Sequence, residues 1–169
     1  TIEETLTDLG ALNFMRKDAK DVASVEGAPD ALGKISEKHE IVYMTGIEEL
    51  SLVKTKDWLR LRAFPRGPVH FWNISQNAMS GEKFKTGLVA KLHTDFSGIT
   101  SGVGGRTEDV NAFLKSGVTA YLLGGPDVEK APPDALRVMD GVQVARLDRA
   151  REREDDGLRA VELEVERAV

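Results

Sequence analysis

The chain has 169 residues, 41% of them hydrophobic, which suits one domain with a real core. Its formal net charge of -5, without a cluster of Lys and Arg, excludes nucleic acid as the main partner, because phosphate backbones are bound by clustered basic side chains. The absence of cysteine excludes a disulfide frame, a zinc-thiolate site and a cysteine nucleophile, and it favours a reducing, cytoplasmic location.

The first half of the chain alternates helical and strand patterns. A helix is predicted after Gly27, because Pro29 suits a first helical turn, and a buried strand is predicted over 41–44. An apolar stripe with charges between its members predicts a helix over 48–62. The short apolar run Val69–Trp72 predicts the next strand.

The second half continues the alternation. We predict a helix over 83–93, a strand over 99–103, a helix over 109–115 and a strand over Thr119–Leu123. Strands that alternate with helices of this length are typical of a parallel sheet. The predicted fold class is therefore α/β, a Rossmann-like parallel sheet with helices on both faces.

Residues 1–125 are predicted to form this α/β domain. Residues 126–169 are a charged C-terminal extension, interpreted as part of the same domain or as a helical tail. No apolar run approaches the roughly 20 residues of a spanning helix, so no transmembrane segment is predicted, and peripheral membrane contact stays open. The opening residues are acidic where a secretory leader would be basic.

One crevice is expected to collect the polar residues of the second half. Ligands of parallel α/β sheets gather at the carboxyl ends of strands, where Lys85, the glycine turn with Gly104 and Gly105, and Asp109 would converge. A cation can hold phosphate oxygens, bare glycine backbone allows an anion to approach, and a carboxylate is the ligand that Mg²⁺ prefers. The pattern predicts a site for a phosphate and a divalent metal.

Four segments carry a resemblance to a known family. They are EIVYMTG, which ends in Thr45 and Gly46, FPRGPVHFW, EKFKTGLVAKL with Lys85, and GVGGRTEDVNAFLKSGV with Asp109. Together they resemble the haloacid dehalogenase (HAD) superfamily, and within it the lipin-type and actin-patch-type phosphatidate phosphatases. The resemblance covers about the first three quarters of the chain.

The resemblance implies a Mg²⁺-dependent phosphohydrolase. It implies that Thr45 and Gly46 hold the phosphoryl group, that Lys85 neutralises the nucleophile and the phosphate, and that Asp109 is a metal ligand. The ligand would be a phosphorylated small molecule or a phospholipid head group. Each residue also has a structural alternative: Thr45 as a strand-end threonine, Lys85 as a solvated lysine and Asp109 as a helix cap.

The family's nucleophile motif is not found in the sequence. HAD phosphatases attack phosphorus with the first aspartate of an Asp-x-Asp-x-Thr motif, and its second aspartate is the general acid and base. Spacing favours Thr1-Ile2 as the tail of that motif; a decayed motif at Thr7-Asp8-Leu9-Gly10 is the rival interpretation. The family's strand order, 5-4-1-2-3, then implies a gap at the centre of the sheet.

The predicted function is a HAD-type phosphohydrolase-like domain that is inactive because it lacks the nucleophile. The main alternative is a non-catalytic module, a pseudophosphatase that binds a phosphate-bearing ligand. A purely structural interaction domain is the third class.

Overall fold

The computed structural model describes residues 1–72, 81–96, 98–123 and 132–138. Two short 3₁₀ turns, at 19–21 and 49–51, accompany the regular elements. In chain order these elements are helix α1 (Ala11–Arg16), α2 (Ala28–Ser36), strand β1 (Tyr43–Glu48), α3 (Leu52–Leu61), β2 (Val69–Trp72), α4 (Gly81–Asp95), β3 (Ser101–Gly104), α5 (Thr107–Lys115), β4 (Thr119–Leu123) and β5 (Leu136–Val138).

All of these strands pair in parallel. β1 pairs with β2, with Tyr43 opposite Val69, and β3, β4 and β5 form a second group in that order. Parallel strands joined by helices are the arrangement that the alternating sequence pattern predicted. The predicted α/β fold class is confirmed.

The core lies on both faces of the strands. Along β1, Tyr43 packs into one hydrophobic cluster with residues of α3, such as Trp58, whereas the next residue, Met44, packs into another with Val110 and Phe113 of α5. Because successive strand residues point to opposite faces, these two clusters cover opposite sides of the strand. Helices therefore cover both faces, as expected for a parallel sheet.

Strands β2 and β4 have the predicted bounds, whereas β1 does not. It begins at Tyr43 and continues to Glu48, beyond the predicted 41–44. Pairing with β2 starts only at Tyr43, and an irregular register between Thr45 and Glu48 keeps the backbone extended past the apolar run. Thr45 consequently lies inside the strand rather than at its end.

Other elements differ as well: α1 was not predicted, and α4, β3 and α5 begin or end about two residues from their predicted bounds. Helix α3 starts at Leu52 rather than at residue 48, because a 3₁₀ turn precedes it. Strand β5 falls within the predicted C-terminal extension and was not predicted, since only three residues form it next to β4. Residues 139–169, including the charged run, lie outside the described residues.

Trp58 is the largest fully buried side chain, and its indole N–H donates to the Val22 carbonyl at 3.0 Å. The Trp58→Phe substitution should lower the free energy of unfolding by about 1–2 kcal/mol, since it removes this bond and part of the ring volume. Urea denaturation measures the change. Trp72→Phe is the control: the Trp72 indole N–H is buried without a partner among the described residues, so its removal should cost less. Equal losses would contradict this account.

Candidate functional site

The first residues of the chain lie between the two groups of strands. The backbone nitrogen of Thr1 donates to the Val103 carbonyl of β3 at 2.7 Å, and the Ile2 amide donates to the Met44 carbonyl of β1 at 3.0 Å. The expected gap is therefore partly filled, although β1-β2 and β3-β4-β5 remain separate sheets with no strand between them among the described residues. Residues 1–3 link β1 to β3, and these bonds satisfy backbone groups on both neighbouring strands.

Alternation along this segment separates its side chains. Ile2 is fully buried in the cluster that contains Trp58, whereas the Thr1 hydroxyl contacts Asp109 and the Glu3 carboxylate contacts Thr45. Thr5 is buried as well, and its hydroxyl lies 2.7 Å from that of Thr1. The Thr5 hydroxyl also donates to the Glu3 backbone carbonyl at 3.2 Å, so two threonine hydroxyls meet between the two groups of strands.

One half of the site is a buried ion pair. The Lys85 ammonium on α4 donates to Oδ1 of Asp109 on α5. The Thr1 hydroxyl donates to Oδ2 of the same carboxylate at 2.8 Å. The Asp109 side chain is 0% exposed, so its charge is offset by protein groups rather than by water.

The other half is built around Glu3. Its Oε1 accepts the Thr45 hydroxyl proton, and its Oε2 accepts the Gly46 amide at 3.3 Å. The Thr45 oxygen in turn accepts the Ile47 amide at 3.1 Å. Thr45 is 0% exposed, so its hydrogen bond with Glu3 is buried inside the protein.

The sequence-predicted residues therefore occupy two linked contacts. Lys85 and Asp109 contact each other directly, while Thr45 and Gly46 both contact Glu3. Thr1 and Glu3, two residues apart, connect the two pairs. Asp109 does not cap α5: Arg106 is the N-cap residue, and the Asp109 carboxylate bonds to Lys85 and Thr1 instead.

The glycine turn approaches the protein's own backbone. A Cβ on Gly105 would overlap the Glu4 carbonyl, and a Cβ on Gly104 would overlap the Asp109 side chain. Glycine is needed at these two positions so that the turn fits against Asp109 and against residues 1–5, the central segment. An exposed ion pair between Glu4 and Arg106 joins the same two segments.

The described residues do not fit a resident Mg²⁺ site. Asp109 is the predicted ligand, but one of its oxygens accepts a lysine ammonium and the other a hydroxyl. Within residues 1–72, 81–96, 98–123 and 132–138, no group of three or more His, Asp or Glu side chains could hold a metal. Mg²⁺ prefers several oxygen ligands and carboxylate charge, which this cluster does not offer.

Sequence reasoning missed Thr1, Glu3 and Thr5 as members of the site. The signal was present in their spacing: Thr1-x-Glu3-x-Thr5 has the spacing of Asp-x-Asp-x-Thr, with threonine for the first aspartate and glutamate for the second. The rival motif at Thr7-Asp8 is not in this position. Asp8 is exposed, and its carboxylate lies 3.5 Å from the neighbouring Thr7 hydroxyl.

The parallel strands and the helices on both of their faces define a Rossmann-like α/β fold. The chain is similar to a solved structure described as D,D-heptose 1.7-bisphosphate phosphatase from B. bronchiseptica complexed with magnesium and phosphate. The two share 13% sequence identity, with a TM-score of 0.69, over 88% of this chain and 95% of that one. At this identity the likeness establishes the fold alone. No family model and no curated protein matches the chain.

A membrane-spanning helix is not found in the described part of the chain, where every helix is too short or too polar to cross a bilayer.

Proposed function

We propose that this chain is a phosphohydrolase-like HAD domain that does not hydrolyse phosphate esters, that is, a pseudophosphatase. In this proposal Thr1, Glu3 and Thr5 stand at the three named positions of the family's Asp-x-Asp-x-Thr motif. Thr5 matches the motif, while the two catalytic positions carry other residues. The proposal replaces the interpretation of Thr1-Ile2 as the tail of the motif.

The hydrogen bond from the Thr1 hydroxyl to Asp109 carries this proposal. Covalent catalysis at this position needs a carboxylate or an activated hydroxyl. The group that accepts the Thr1 hydroxyl proton is a carboxylate already paired with the Lys85 ammonium, which makes it a poor general base. Thr1 is thus held as a hydrogen-bond donor rather than as a nucleophile.

The proposed role is recognition of a phosphate-bearing group. A phosphorylated small molecule or a phospholipid head group, as the resemblance to phosphatidate phosphatases implies, is the ligand class. Lys85, Thr45 and Gly46 supply an ammonium, a hydroxyl and an amide, which are donors suited to phosphate oxygens once Asp109 and Glu3, their present partners, release them. A cytoplasmic location belongs to the same proposal.

The wild-type chain should release no phosphate from p-nitrophenyl phosphate above the enzyme-free blank, with or without Mg²⁺. The assay includes the heptose bisphosphate phosphatase as a positive control for the shared fold. Turnover that is lost in Thr1→Val would contradict the proposal, because it would make the hydroxyl a nucleophile. Turnover that is lost in Asp8→Asn would show that the Thr7-Asp8 motif is functional.

A further inference from the structure

The contact between Glu3 and β1 has the form of an occupied anion site. Two donors from adjacent residues, the Thr45 hydroxyl and the Gly46 amide, converge on the two oxygens of one carboxylate. Glu3 is only 8% exposed, and Thr45 is fully buried. Donors that converge on one buried anion in this way are arranged to bind an oxyanion.

We propose that the Glu3 carboxylate is a built-in occupant of this oxyanion site and keeps phosphate out of it. The inference rests on the proposed function for the ligand class, a phosphate group, and adds what controls access to it. Glu3 comes from the central segment, so the occupant and the donors belong to the same folded unit. Phosphate enters only when the carboxylate is removed or withdrawn.

Charge supports the same conclusion. Counting side chains alone, Glu3 and Asp109 contribute two negative charges and Lys85 one positive charge, so these three side chains carry a net charge of -1. A phosphate dianion is repelled by such a cluster, and burial leaves this repulsion poorly screened. Removing the Glu3 carboxylate takes away one negative charge, and both donors on β1 would then be free for the incoming anion.

The test compares the affinities of the wild type and Glu3→Ala for inorganic phosphate, both measured by calorimetric titration. We expect Glu3→Ala to bind phosphate at least tenfold more tightly than the wild type. Glu4→Ala is the matched control, since Glu4 is the next carboxylate along the chain but pairs with Arg106. It should bind phosphate no better than the wild type.

Adding Thr45→Val to Glu3→Ala should abolish the gain, because it removes one of the two donors. If Glu3→Ala does not fold by circular dichroism, Glu3→Asp replaces it: it keeps the charge but draws the carboxylate back by about 1.5 Å, one carbon–carbon bond. It should bind phosphate more tightly than the wild type. A folded Glu3 variant with wild-type phosphate affinity would overturn the inference.

A second arm distinguishes the source of the phosphate. Glu3→Ala is mixed with phosphatidylcholine vesicles with and without phosphatidate, and co-sedimentation is measured. If Glu3→Ala sediments with phosphatidate vesicles and inorganic phosphate displaces it, the result supports a lipid head group as the ligand of this site. If Glu3→Ala binds inorganic phosphate but not the vesicles, the result supports free phosphate. Neither arm depends on hydrolysis, so turnover by the wild type would refute the pseudophosphatase proposal without deciding whether Glu3 blocks the site.

Discussion

Lys85→Met should lower the free energy of unfolding by about 3–5 kcal/mol, the usual cost of removing one partner from a buried ion pair. Asp109 is fully buried, and after the substitution its carboxylate would keep only the Thr1 hydroxyl among its observed partners. Methionine fills much of the volume of the lysine stem, so the loss reports the stranded charge rather than a cavity. Urea denaturation with an unchanged m-value measures it.

A second ion pair on the same helix provides the control. Lys91 and Asp95 are paired on the exposed face of α4, with side chains 72% and 43% exposed. Lys91→Met should therefore cost less than about 1 kcal/mol, because water screens this pair. The double variant Lys85→Met with Asp109→Leu should recover most of the stability, since no buried charge is then left alone. Similar losses for Lys85→Met and Lys91→Met would contradict the buried-pair account.

The local pattern of the chain predicted most of the fold. Apolar runs marked β2 and β4 to the residue: β4 is buried from Ala120 to Leu123, as expected for a strand covered on both faces, whereas β2 is half-buried. The extension of β1 to Glu48 could not be predicted in the same way. It depends on a register shift against β2, which is a contact between segments distant in sequence.

The candidate site was predicted in part. Lys85 and Asp109 were recognised from their segments, and the structure joins them in an ion pair. The contacts of Thr1 and Glu3 with the site were not predicted, because spacing was interpreted as placing Thr1-Ile2 at the tail of the nucleophile motif. Glu3 is buried, since the donors of Thr45 and Gly46 offset the cost of desolvating its carboxylate.

In the proposed motif assignment, Thr1 and Glu3 differ from Asp-x-Asp-x-Thr, and each still bonds to a neighbour. Thr1 donates to the Asp109 carboxylate, where an aspartate would add a second negative charge beside it. Glu3 reaches the donors on β1, and these would otherwise be buried without a partner. We infer that the substituted motif stabilises the centre of the sheet without a metal ion, which agrees with the poor fit of the described residues to Mg²⁺.

Restoring the motif with Thr1→Asp and Glu3→Asp together should give the chain Mg²⁺ binding and phosphatase activity. The double variant places three carboxylates, counting Asp109, around the position that Thr1 now occupies. It should be less stable than the wild type without metal, because like charges are brought together. Mg²⁺ should raise its melting temperature and leave that of the wild type unchanged, since only a state that binds the ion is stabilised by it.

Hydrolysis of p-nitrophenyl phosphate by the double variant should exceed that of the wild type by at least about 10²-fold, the lower end of what a positioned acid and base contribute. The single variants serve as controls. Thr1→Asp alone regains the nucleophile position while Glu3 still occupies the donors of β1, and Glu3→Asp alone regains no nucleophile, so both should remain well below the double variant. A double variant that folds but neither responds to Mg²⁺ nor hydrolyses the ester would show that Thr1 and Glu3 do not stand at the catalytic positions of the motif.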